Sequence, residues 1–122
     1  MIAYKWVIKK NNKYFPLVNF GINEWMRNIQ AEPYEIGKTY KYKGQYSHYN
    51  KNDTERDGYH FWLRPKKEFI LNNWNTFLKR KNSPEINAIL KCEIDEIKTY
   101  KDCWQEPRII ADKFTVLEEI KI

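Results

Sequence analysis

The side chains best suited to acid–base chemistry near neutral pH are the two histidines, His48 and His60, because an unperturbed imidazole titrates near pH 6.5. His60 lies in Tyr59-His60-Phe61-Trp62-Leu63, an aromatic run of strand-forming residues. In a strand, Tyr59, Phe61 and Leu63 share one face, and His60 and Trp62 share the other. A second catalytic group would come from Glu118 or Glu119 near the C-terminal end. His60 and Glu119 are therefore the candidate catalytic residues of an enzymatic or nucleotide-binding reading. The structural readings preferred for them are a half-buried histidine hydrogen-bonded to backbone and a solvent-facing glutamate pair on an edge strand.

Other reactive motifs fail on spacing. Gly37-Lys38-Thr39 ends like a phosphate-binding loop, but position 32, where that loop needs glycine, is Glu32. The chain has no G-x-S-x-G, H-E-x-x-H or glycine-rich dinucleotide motif. Cys92 and Cys103 form no C-x-x-C pair, and with the two histidines they make a poor ligand set for a metal. No cofactor and no metal are expected, and Cys92 is read as a reduced core thiol. Catalysis has little positive support.

Binding chemistry is better represented. Tyr40-Lys41-Tyr42-Lys43 alternates aromatic and cationic residues, and Tyr46, His48, Tyr49 and Lys51 continue the pattern. Such interleaving stacks bases and holds phosphates. It also suits a protein interface anchored by tyrosines. A third reading is a plain strand with tyrosines in the core and lysines in solvent. The net charge of +6 leans toward polyanions or acidic protein surfaces. Lysine supplies most of that charge, and the abundance of Lys, Asn and Ile fits the composition of an AT-rich genome.

The elements that must position these residues follow from periodicity. A chain of 122 residues with 42% hydrophobic and 16% aromatic residues forms one domain, 1–122, with one core. No stretch approaches the ~20 apolar residues of a membrane span, so a cytoplasmic protein without a membrane partner is expected. Ala3 to Ile8 and Tyr14 to Phe20 read as strands joined by a turn at Asn11-Asn12-Lys13. Asn23 caps a short helix over about 23–30. Tyr40 and Tyr42 share one strand face, and Gly44 to Asp57 forms a long exposed loop. Pro65 opens the main helix, about 65–81, whose apolar stripe is Ile70, Trp74, Phe77 and Leu78. Lys79, Arg80 and Lys81 suit its last turn, and Asn82-Ser83-Pro84 ends it.

Ile86, Ala88, Leu90, Cys92 and Ile94 alternate with polar residues as a strand with one buried face. Ile97 to Tyr100 pairs back around Asp95-Glu96, and the final segment places Phe114, Val116 and Leu117 in the core. Trp74, Phe77 and Leu90 are expected to be buried together. The fold class is α+β: a mostly antiparallel sheet of about five to seven short strands, with the main helix packed on it.

Four segments together resemble a group of small phage and prophage proteins of unknown function. They are the opening Ala3-Tyr4-Lys5, the turn Tyr34-Glu35-Ile36-Gly37-Lys38-Thr39-Tyr40, the element Gly58-Tyr59-His60-Phe61 and the closing strand Ala111 to Ile120. Trp62 departs from the pattern, where a cysteine or small residue is the rule, and Gln45 to Asp57 is individual to this chain. The resemblance implies a protein of an infected or prophage-bearing host cell. The expected function is a non-catalytic interaction protein, of the counter-defence (anti-CRISPR-like) kind, docking Tyr40 to Lys51 on a host protein or nucleoprotein complex. The alternatives are the His60–Glu119 enzyme or nucleotide binder, and a domain that binds nucleic acid directly.

Overall fold

A computed structural model describes residues 1–16, 32–43, 58–101 and 108–122 of the chain. The described strands are β1 (Ile2–Lys10), β2 (Lys13–Pro16), β3 (Thr39–Lys41), β4 (Tyr59–Phe61), β5 (Ala88–Lys101) and β6 (Arg108–Lys121). One helix, α1 (67–80), lies between β4 and β5. The architecture is a curled, mostly antiparallel six-stranded sheet with one main helix of 14 residues, α+β but dominated by the sheet. The short helix expected over 23–30 and the stretch Leu17 to Phe20 lie outside the described residues.

Strand order is β2-β1-β5-β6-β3, and β4 also pairs with β6. The β1–β2 hairpin turns through Asn11 and Asn12, both at positive φ (53° and 62°), as a two-residue primed turn requires. Lys10 pairs with Lys13 across it. Before β3, Gly37 at φ 88° completes a tight turn in which Lys38 N–H donates to the Glu35 carbonyl at 3.2 Å. The sheet curls because β5 and β6 are long, and two isolated bridges join its outer parts. Tyr4 and Trp62 exchange backbone bonds of 2.8 and 2.7 Å, and Tyr34 N–H donates to the Tyr14 carbonyl at 2.7 Å.

Two hydrophobic layers result. The inner one fills the curl with Ala3, Val7, Tyr34, Tyr40, Tyr59, Phe61, Leu90, Cys92, Phe114 and Val116, among others. Phe114 is its hub, with the rings of Tyr34, Tyr40, Tyr59 and Phe61 all 4.7–5.3 Å from its own. The outer layer, under the helix, holds Trp6, Ile70, Leu78, Ile86 and Ile89. Successive strand residues face opposite ways, so Leu90 joins the inner layer and Ile89 the outer.

This arrangement corrects several expectations. Trp74, Phe77 and Leu90 do not meet: Leu90 faces inward, Trp74 is half-buried and Phe77 is 37% exposed. The reason is in the helix, where Ile70–Trp74 forms a wider π turn between two α segments. That turn delays the phase by about one residue, so Asn75 and Leu78 face the sheet while Phe77 swings outward. The helix also starts at Lys67 rather than at Pro65, after Lys66 in the left-handed conformation. It ends as expected, with Asn82 at positive φ and the Ser83 N–H donating back to the Leu78 carbonyl at 2.9 Å.

β5 does not turn back at Asp95-Glu96 but runs on to Lys101, with register shifts between Lys91 and Cys92 and between Ile97 and Thr99. The first shift leaves Leu117 of β6 as an extra, unpaired residue. Leu117 is therefore exposed rather than core, and Glu119 is brought onto the inner face opposite Leu90.

Candidate docking surface

The sequence-predicted site residues are distributed among quite different environments. Tyr40 is buried against Phe114, and its hydroxyl accepts the Glu35 N–H at 2.8 Å. Burial raises its pKa. Tyr42 is half-buried, edge-on to Tyr59 at 5.7 Å, with the Lys98 ammonium 5.4 Å from its ring. Lys41 and Lys43 face solvent, and Lys41 lies 3.8 Å from Glu96. The alternating pattern thus packs its tyrosines inward and leaves only lysines outside. Tyr46, His48, Tyr49 and Lys51 lie outside the described residues.

His60 pairs with Ile110 and its side chain is exposed, not half-buried. Its backbone carbonyl accepts Lys5 Nζ at 3.0 Å. Just beyond β4, Trp62 stacks on Trp6 at 4.1 Å. Glu119 lies at the other end of β6, nine residues from Ile110, roughly 30 Å along a strand. There its carboxylate accepts hydrogen bonds from Tyr14 Oη and, at 2.9 Å, from Lys9 Nζ. These bonds, Tyr14 first, lower the Glu119 pKa, and the bond to Glu119 raises that of Lys9. The two candidate catalytic groups are not brought together.

Two further groups acquire their environments only in the fold. Lys5 alternates with Ala3 and Val7, so it points into the curl, where it is only 8% exposed. Its ammonium sits 5.0 Å from the Phe61 ring and 5.9 Å from those of Tyr34 and Tyr59. Desolvation lowers its pKa to about 8, and burial pushes the Cys92 thiol up to about 12. So enclosed, Lys5 is not presented to a substrate. Among the described residues, no group of three His, Cys, Asp or Glu side chains gathers that could hold a metal ion. No helix among them is long and apolar enough to cross a membrane.

The second group is on the outer side of α1. The π turn that carries Phe77 away from the sheet leaves Phe69, Asn73, Trp74 and Phe77 lining an open apolar groove of about 310 Å³. Trp74 and Phe77 meet edge to face at 6.0 Å, and Trp6, buried below, contacts Trp74 at 5.9 Å. The groove therefore rests on a buried aromatic floor. Cations rim it at both ends: Lys66 lies 5.3 Å from the Trp62 ring and 5.5 Å from Phe69, and Lys81 lies 5.9 Å from Phe77.

Comparison with protein-family models, with curated proteins and with solved structures finds no match to this chain. What the site can do rests on its own chemistry. Residues 64–81 contain six basic residues (Arg64, Lys66, Lys67, Lys79, Arg80 and Lys81) and one acidic residue, Glu68. This segment therefore carries +5 of a chain total of +6. That concentration is readable in the sequence and is the signal that points to this face. The exposure of Phe69 and Phe77 is not readable there, because ordinary helical spacing puts Phe77 on the buried stripe.

Proposed function

We propose that this is a non-catalytic interaction protein that docks the outer face of α1 on a protein or nucleoprotein complex of a host cell. The observation that carries the reading is the open apolar groove of Phe69, Trp74 and Phe77 set in the most basic segment of the chain. Exposed aromatics over a buried floor, rimmed by cations, are the composition of interface anchors. The separation of His60 from Glu119 supports the non-catalytic side of the proposal. The setting, a phage or prophage protein acting against a host complex, is the one implied by the resemblance of Tyr34 to Tyr40 and Gly58 to Phe61. Lys41 and Lys43 form a second, weaker cationic strip away from the groove.

The test is affinity capture from bacterial host extract with the parent chain, Phe77→Ser and a Lys41→Ala/Lys43→Ala double variant. Phe77→Ser is expected to lose the captured complex, and the double variant to keep most of it. Capture that survives Phe77→Ser but fails with the lysine variant would move the interface to the β3 strip.

A further inference from the structure

Resting on that docking surface, we infer the class of its occupant: an acidic amphipathic helix that inserts bulky apolar side chains between Phe69, Trp74 and Phe77. The groove lies along a helix, which has no free strand edge, so a partner cannot add by backbone pairing. It must pack side chains into side chains, as helices do when ridges enter grooves. The volume of about 310 Å³ is at the small end of ligand pockets, and the site is open on one side. It suits one or two anchoring side chains of a larger partner better than a small molecule, which needs most of its surface covered.

Charge selects the rest of the partner. Lys66 at one end of α1 and Lys79, Arg80 and Lys81 at the other are separated by about 20 Å of helix. A partner helix of similar length places carboxylates against both ends while its apolar stripe crosses the groove. A second copy of this chain is a poor occupant, because a symmetric contact sets the same basic face against itself. Single-stranded nucleic acid meets the charge but not the geometry. Bases bind by stacking on ring faces, and here Lys66 covers Trp62 and Phe69 and Lys81 covers Phe77. The cations that would grip phosphates occupy the surfaces on which bases would lie.

The probes are two display libraries of helical peptides of about 14–16 residues, the length of the face. Both vary Leu, Phe, Trp and Met at the apolar positions; one carries Glu and Asp elsewhere, the other Lys and Arg. Labelled oligothymidylate of about 15 nucleotides is a third probe. The acidic library is expected to yield binders that lose about tenfold or more in affinity to Phe77→Ser and weaken with added salt. A Lys66→Glu/Lys81→Glu variant, with its melting checked, is expected to shift selection toward the basic library.

Selected peptides indifferent to Phe77→Ser, an acidic library that yields no binder, tighter binding to oligothymidylate, or self-association abolished by Phe77→Ser would each overturn the inference. The underlying docking proposal is separable. If the host complex is captured and lost with Phe77→Ser but no acidic peptide binds, the surface stands and the partner class falls. If capture ignores Phe77→Ser, the surface itself is wrong.

Discussion

The two sides of the sheet use the same residue types to opposite ends. Inside the curl, Tyr34, Tyr40, Tyr59, Phe61 and Phe114 interlock until every ring is covered, and even Lys5 is enclosed among them. On the helix side, buried Trp6 stacks on half-buried Trp62, but Phe69, Leu71 and Phe77 remain 40%, 53% and 37% exposed. The inner layer is closed by strands on several sides. Among the described residues the outer layer has one helix as its lid, and a single helix buries one stripe while presenting the rest. Apolar residues spent inside stabilise the fold. Those left outside on a basic helix contribute little to folding and are available for a partner. The difference shows that aromatic content alone does not locate a binding surface; the number of elements covering each ring does.

Four measurements break or sharpen that contrast, beginning with the largest effect. Phe114→Ala removes the ring on which four others pack, and a loss of about 3–5 kcal/mol in denaturant unfolding is expected. A variant melting within about two degrees of the parent would show that the inner layer is not the main core.

Next is Asn75, which is 6% exposed and clamps the helix to the segment before β5. Its side chain accepts the Ile86 N–H at 2.8 Å and donates to the Ile86 carbonyl at 2.9 Å. Asn75→Leu leaves both backbone groups buried without that partner, so a cost of about 2–4 kcal/mol and faster amide exchange at Ile86 are expected. Unchanged exchange would mean that the helix is held by apolar contact alone.

The third concerns Lys5. Below about pH 8 the folded and unfolded chains both carry its charge, and the fold bears the full desolvation cost. As pH rises from about 8 toward 10.5 the folded chain releases the proton first, so stability rises. Cys92 opposes this from about pH 9, because an unfolded thiol ionises while the folded one waits until about 12. Between pH 8 and 9 a gain of about 1 kcal/mol is expected in the parent, and none in Lys5→Met. A flat profile in the parent would place water beside the ammonium.

The smallest effect is the most telling for function. Phe77→Ser is expected to change stability by less than about 1 kcal/mol while removing partner binding. A large loss of stability would instead make Phe77 a core residue and close the groove as a candidate.

Much of the local structure was legible in the chain. The strand-forming residues of Ala3 to Ile8 and the alternation of Ala88 to Ile94 specified strands, Asn11-Asn12-Lys13 specified a turn, and Asn82 specified the end of the helix, because each depends on neighbours within a few residues. The same alternation placed Tyr40 and Tyr42 on a face opposite Lys41 and Lys43, and only the packing of Phe114 showed that this face is the interior. His60 and Glu119 could be paired on paper, since sequence gives residue types without the strand length that separates them. Leu117 and Phe77 read as core because ideal periods of 2.0 and 3.6 put them there. A bulge in β6 and a π turn in α1 each shift the phase by one residue, which ideal periods do not anticipate. Composition determined an aromatic, basic domain with the means to bind. Tertiary structure decided which aromatics were consumed in building it and which were left facing out among the lysines.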